Sequence, residues 1–492
     1  MRVSRKMGLL AAVFGSGLVA FAAMPAAAET LADAIALAYA TNPTILSQRS
    51  LLRISDETYY VTNRALGPTV SVGATITGAT NNDLNDNGEA SSSAGLSADI
   101  IADQTIYSGG RLRANLAAQE ATLKAARESL RRVEMQVLEN VVEAYTAVRR
   151  AERSLTITNE NVAVLMRQRD EAQARFEVGA STRTDVAQAE SRLAQARGQL
   201  TAAQNTLDNA RAQYRTVVGR SPEQLAPEPA LGAYLPASQA IAFQVAELNS
   251  PILRAAYLEE RSSAARISAA RAARRPTITI STGVGYRQDN PAFGAPSGFG
   301  DSSNDLTTAA RVSIPLYSGL TTSSTIRSAI EANRGDNINI ESERRNLDQS
   351  VTVAWNALVS AHAQIISQQE AVRAASLAFE GTREEQQVGL RTTLDLLNAE
   401  QELRTAQLNL VNAQFSEYTA QTSLLNAMGK LTPETFGAQV DTYDPKKHFN
   451  DVNNFGLPWE PVVKTIDSIL AAPIPQRQPM PGENVPTFEP LR

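Results

Sequence analysis

Two octapeptides hold the most suggestive residue types in the chain. They are Val178-Gly179-Ala180-Ser181-Thr182-Arg183-Thr184-Asp185 and Val388-Gly389-Leu390-Arg391-Thr392-Thr393-Leu394-Asp395. Each sets a glycine, hydroxyl side chains and a carboxylate at the same spacing. Gly179 and Gly389 can take positive φ and end a helix. Thr184 or Thr392 could cap the helix that follows. Asp185 and Asp395 would then lie in a first helical turn, where the dipole favours a carboxylate. This is chemistry of charge placement, not of bond making. The rest of the chain agrees: it has no cysteine and two histidines, His362 and His448, 86 positions apart. Thiolate metal sites, disulfides and a cysteine nucleophile are excluded, and a histidine-rich site or histidine base is disfavoured. No cofactor or metal is expected, and an enzyme is the weakest reading.

These turns must be held by long helices. The chain has 492 residues, 5% of them aromatic, and its formal charge is −5. That charge argues against nucleic acid, which needs a concentrated basic surface. Long stretches dominated by Ala, Gln, Leu and Arg suit exposed helices rather than one deep core. At the N-terminus, Arg2, Arg5 and Lys6 precede an apolar run and an Ala26-Ala27-Ala28 site, so residues 1–28 read as a signal peptide. Ser16, in Gly15-Ser16-Gly17, falls there and is no nucleophile. Removing its three basic residues takes the charge from −5 to −8. No later stretch approaches ~20 uninterrupted apolar residues, so a membrane role would need β-strands.

The chain repeats itself. Tyr107-Ser108-Gly109 recurs as Tyr317-Ser318-Gly319, Val178-Gly179 as Val388-Gly389, Ala189-Glu190 as Ala399-Glu400 and Gly219 as Gly429, all at an offset of 210. Pro43 and Pro68-Thr69 match Pro251 and Pro276-Thr277 at 208. The expected organisation is a first repeat at 29–219, a linker at 220–238, a second repeat at 239–430 and a proline-rich tail at 431–492, equatorial or disordered.

Each repeat reads helix, strand, strand, long helix, return helix. Residues 31–65 are helix-like, with Pro43 as a local break. Residues 69–78 alternate, with Val70, Val72, Ala74 and Ile76 on one face. Residues 81–93 are rich in Asn, Asp, Gly and Ser and read as a loop. A second strand spans 94–107. Residues 111–177 contain neither proline nor glycine. A helix of that length is a rod of roughly 100 Å. In the second repeat, 289–305 reads as a loop. Leu306, Thr308, Ala310, Val312, Ile314 and Leu316 share a strand face, with Arg311 on the opposite one. A lipid-facing arginine at midplane would cost ~2–4 kcal/mol, which turns Arg311 to a lumen. Trp355, Phe379 and His362 read as packing or surface residues.

Strands of about ten residues can cross a bilayer when tilted. Four of them cannot close a barrel, and open edges are not tolerated in lipid. If these strands span a membrane, several chains must share the barrel. The competing reading is a pore-less periplasmic coiled-coil protein, structural or adaptor in role.

The signal peptide, the duplicated unit, the Leu316-Tyr317-Ser318-Gly319 strand end and the paired turns resemble the TolC family of outer-membrane efflux and secretion ducts. The resemblance covers about residues 29–437. It implies an α+β fold: a trimeric 12-stranded transmembrane β-barrel, four strands per chain, continuing into a long α-helical coiled-coil barrel. It implies a homotrimer in outer-membrane lipid, with a large periplasmic part. Its partners would be a periplasmic adaptor and an inner-membrane transporter of ABC or RND type. It places the two turns at the periplasmic entrance, where Val178, Gly179, Thr184, Val388, Gly389 and Thr392 form tips that meet the adaptor. Three copies of Asp395 would ring the entrance, with Arg391 pairing Asp185 to close it. The chain departs from the family by holding Asn398 at a second ring position and Gln386 where an aromatic sometimes stands. Tyr107, Gly109, Pro315, Tyr317 and Gly319 mark the junction of barrel and tunnel. Cargo follows as type I secreted protein, drugs or both.

Overall fold

The computed structural model describes residues 28–84, 90–290, 302–453, 460–469, 473 and 479–481. The expected signal segment lies outside them, apart from Ala28. The first repeat opens with α1 (Leu31–Thr41) and α2 (Pro43–Arg64). Pro43 starts α2 rather than kinking one helix, and Asn42 caps it by accepting the Thr44 N–H at 2.9 Å. Strands β1 (Thr69–Leu84) and β2 (Ala90–Tyr107) follow, then α3 (Arg111–Glu177) and α4 (Arg183–Val218). The second repeat runs α5 (Gln239–Asn249), α6 (Pro251–Ala272), β3 (Thr277–Asn290), β4 (Ser302–Ser313), α7 (Thr321–Gln387) and α8 (Thr393–Ala427). Both long helices have 67 residues, and α3 has the bounds its composition implies.

Three expectations need correction. The hairpins reach further than side-chain patterning suggests: β1 runs to Leu84 and β2 begins at Ala90, because the ladder bonds backbone to backbone whatever the side chains. Of the 289–305 loop, 291–301 lies outside the described residues, while β3 ends at Asn290 and β4 starts at Ser302. Strand β4 stops at Ser313, so Ile314 and Leu316 are not on it; Pro315 has no N–H for the ladder. The tail is also more ordered than its prolines imply. It carries α9 (Pro445–Asn453) and α10 (Glu460–Ile469). Helix α9 seats Phe449 against Tyr59 of α2, with ring centroids 5.2 Å apart.

The four strands form one antiparallel sheet in the order β1-β2-β3-β4. The two repeats are thus joined by the β2–β3 pairing. Its register aligns Val72, Ile100, Val284 and Leu306 in one row across all four strands. The next row is Gly73, Asp99, Gly285 and Asp305. One face of the sheet is therefore apolar and the other carries charge, and the apolar row is exposed. Arg311 pairs with Thr279 and shares the charged face. Strands β1 and β4 are edges. Among the described residues no helix is long and apolar enough to cross a membrane.

The main core lies midway along α3. Leu138, Val141, Val142, Tyr145 and Val148 pack there against α1, the end of α4 and the linker. Glu29 ties the linker down: its carboxylate accepts from Tyr214 Oη at 2.6 Å and Arg220 at 2.7 Å. A second core joins α5 and α6 to α7 and α8.

Candidate functional site

The ends of the two long hairpins are built alike. Helix α3 closes on Gly179 at φ 76°, with Ala180 N–H donating to Arg175 O at 2.8 Å. Helix α7 closes on Gly389 at φ 82°, with Leu390 N–H donating to Glu385 O at 2.9 Å. Each return helix then begins with a capping box. In the first, Thr182 Oγ1 accepts the Asp185 N–H at 3.2 Å, and Asp185 Oδ2 accepts the Thr182 N–H at 3.0 Å. In the second, Thr392 and Asp395 make the same pair at 3.2 and 3.0 Å. Thr184 is therefore not a cap; it lies inside the first turn of α4. The 210 offset maps Thr392 onto Thr182, so the signal was present in the repeat itself.

The boxes set the electrostatics of the tips. Hydrogen bonds from Thr182 hold the Asp185 carboxyl below the usual carboxylate range, and those from Thr392 do the same for Asp395. Both are ionised throughout the neutral range. Arg391 donates Nε to Glu385 at 2.8 Å, which raises its guanidinium further. Within one protomer the expected Arg391–Asp185 pair does not form: Asp185 is taken by Thr182 and by Ser181 at 3.1 Å. Val178, Val388 and Leu390 stand exposed at the very tips.

Above the tips the hairpins meet along a seam that the motifs do not announce. Arg192 on α4 donates to Gln401 at 2.5 Å and Asn398 at 3.1 Å on α8. Arg404 on α8 reaches back to Gln199. Asn161 on α3 donates to Glu400 on α8 at 3.2 Å. Asn398, read as a missing ring acid, is thus an acceptor for Arg192. Glu190 and Glu400 match at the repeat offset, yet Glu190 is exposed and Glu400 buried.

The two junctions between strand and long helix also diverge. Tyr107 and Ser108 are buried, and a Cβ on Gly109 would come within 2.6 Å of Arg275 Cβ. Asp467 on α10 accepts from Ser108 N–H at 2.6 Å, Ser108 Oγ at 2.9 Å and Gly110 N–H at 3.3 Å. It supplies the anion that Gly110, the cap of α3, cannot. At the second junction Tyr317 is 84% exposed, Pro315 lies beyond β4, and Gly319 at φ 59° has open space around it. Among the described residues no cluster of His, Asp or Glu has the geometry to hold a metal.

Comparison with known proteins agrees with this architecture. The family model described as outer membrane efflux protein matches residues 34–220 and again 242–430. The outer membrane efflux protein BepC of Brucella suis is 33% identical over 449 residues, covering 91% of this chain and 96% of that protein. The outer membrane protein TolC of Vibrio cholerae is 26% identical over 386 residues, covering 77% and 86%. The crystal structure of the Campylobacter jejuni CmeC outer membrane channel superposes with a TM-score of 0.72, covering 86% of this chain and 89% of that one at 15% identity. Members of this family are channels. A duplicated chain with two 67-residue helices, a half-apolar four-stranded sheet and capped hairpin tips belongs to the outer membrane efflux protein family and is an exit duct of the outer membrane, with a periplasmic tunnel.

Proposed function

We propose that three copies assemble into one duct. Their sheets close a 12-stranded barrel in lipid, and their helices form the tunnel beneath it. With a periplasmic adaptor and an inner-membrane transporter, ABC or RND, the duct moves cargo from the cell to the outside without a chemical step of its own. The observation that carries this reading is the sheet. Its row Val72–Ile100–Val284–Leu306 suits lipid, its row Gly73–Asp99–Gly285–Asp305 suits water, and both its edges are open. Open edges in lipid demand closure by neighbours.

The duplication supports the same assembly. The end of α6 at Ala272, and Arg275 in the turn after it, cover the first junction. The repeat counterpart of α6 is α2, which presents Leu51, Ile54 and Val61 to solvent, while the second junction exposes Leu316, Tyr317 and Leu320. A neighbouring α2 over the second junction would bury both sets.

The tips form the entrance in this reading. Three Asp395 carboxylates, held ionised, ring the opening and favour cations. Val178, Val388 and Leu390 give the adaptor an apolar footing. Relatedness to BepC over nearly its whole length supports small-solute efflux as the first cargo class, with type I protein secretion as the other. Deleting the gene and comparing drug susceptibility with exported proteins tests this. Sensitisation with an unchanged export profile fits efflux. Loss of one abundant exported protein fits secretion. No change in either contradicts the duct.

A further inference from the structure

The seam between the hairpins buries a carboxyl that the duct reading does not use. Glu400 is 5% exposed, and Asn161 and Gln168 beside it are 8% and 9% exposed. Asn161 Nδ2 donates to Glu400 Oε1 at 3.2 Å. The Gln168 side-chain amide also hydrogen-bonds the carboxyl, yet three acceptors stay without a donor. Glu400 Oε2, Asn161 Oδ1 and Gln168 Oε1 are all buried and unpaired. Unpaired buried polar atoms are costly, and each normally has a partner. An ionised carboxylate cannot donate to any of them. A protonated one donates one O–H and leaves fewer orphans.

The surrounding groups do not neutralise an ionised Glu400 by direct contact. Helix α3 presents Arg167 and Gln168. Helix α4 presents Arg192, Gln195 and Gln199. Arg404 stands on α8 itself, one turn on. At this level α7 offers Gln368 and Ala371, and its Glu370 and Arg373 pair with each other in solvent. Arg192 is engaged by Gln401 and Asn398, and Arg404 by Gln199 through one terminal nitrogen, while its Nε is buried without a partner and makes no bond to Glu400. Among the described residues no arginine hydrogen-bonds the Glu400 carboxyl.

We infer that Glu400 is a proton-operated latch: protonated, it binds the second-repeat hairpin to the first through the Asn161–Gln168 cluster, and loss of the proton loosens the seam. Burial pushes its carboxyl up to about 7. A solvated glutamate titrates near 4.3. The packed seam therefore holds a proton that the opened seam releases. Its stability falls as pH rises from about 4.3 to about 7 and is level above that. Glu400 lies five residues past Asp395, roughly 7.5 Å along α8. The gating consequence rests on the duct reading; the latch itself does not. Asp395 and Asp185 are already ionised in this window and cannot mimic the effect.

Hydrogen exchange of the full-length protein in detergent tests the latch at pH 5.5 and pH 8. The Glu400→Gln variant, whose amide can donate at either pH, serves as reference. We expect the ratio of wild-type to variant exchange in 396–404 to rise roughly thirtyfold between the two pH values. A ratio that stays constant overturns the proposal. Wild-type exchange in 396–404 against 411–424 of the same helix gives the same comparison without a variant, and parallel pH profiles there also overturn it. Planar-bilayer recordings separate the two readings. No channel at any pH would defeat the duct and leave the exchange result standing. Channels whose closed-state conductance follows the seam, higher at pH 8 and flat in Glu400→Gln, support both.

Discussion

Asp467 on α10 accepts the Ser108 N–H at 2.6 Å, so the C-terminal helix fastens the point where β2 becomes α3. The carboxylate is 1% exposed and faces the dipole of a 67-residue helix. Substituting it strands three donors: Ser108 N–H, Ser108 Oγ–H and Gly110 N–H. We expect Asp467→Ala to cost about 2–3 kcal/mol, and Asp467→Asn, which keeps an oxygen, to cost less. Thermal unfolding in detergent measures both. An unchanged Tm for Asp467→Ala would contradict the fastening.

The tips distinguish two threonines two residues apart. Thr182 caps α4, whereas Thr184 lies within its first turn. Thr182→Ala should destabilise that turn by about 1 kcal/mol, and Thr184→Ala should be close to neutral. Hydrogen exchange at 183–187 reads the difference. The cap also has a pH signature. Asp185 and Asp395 titrate below the usual range, so the stability they lend is present above a pH of about 4 and is lost as pH falls through their lowered values. Equal exchange in the two variants would move the cap elsewhere.

Glycines at positive φ are not equivalent. Gly429 ends α8 at φ 69°, and a Cβ there would meet Asn249 O at 2.5 Å. Gly389 has φ 82° with open space around it. Gly389→Ala carries only backbone strain, about 1–2 kcal/mol. Gly429→Ala adds a backbone clash, and we expect it to yield no assembled protein in the membrane fraction. Recovery of the two variants at equal levels would contradict this.

Within one protomer Arg391 holds the second tip through Glu385. The pair is exposed, so global stability should not change in Arg391→Ala. The turn carrying Asp395 loses its brace, and closed-state conductance should rise. Conductance equal to wild type would remove Arg391 from the entrance.

The duplication made much of this architecture legible. Uninterrupted helix formers over 111–177 define α3 to the residue, and Pro43 marks the break between α1 and α2. The tip carboxylates follow from the repeated V-G-x-x-T-x-x-D pattern. What could not be read was asymmetry between matched positions. Glu190 and Glu400 share a repeat position, but only Glu400 faces the other hairpin. Tyr107 and Tyr317 share another, but only Tyr107 is covered. Such differences arise from packing between repeats, which a local pattern does not encode. Thr184 does not cap α4, because the box geometry needs the threonine three residues before the acid, the place Thr182 holds. The tail misled through its prolines: α10 forms around an aspartate whose partners lie more than 350 residues away.

The most direct test of the central claim is reconstitution of detergent-purified protein into planar lipid bilayers, with its oligomeric mass measured in the same preparation. We predict a trimer that inserts as discrete, cation-favouring conductance steps. A monomer that inserts no channel, and that stays in solution when detergent is removed, would contradict the shared barrel and the duct with it.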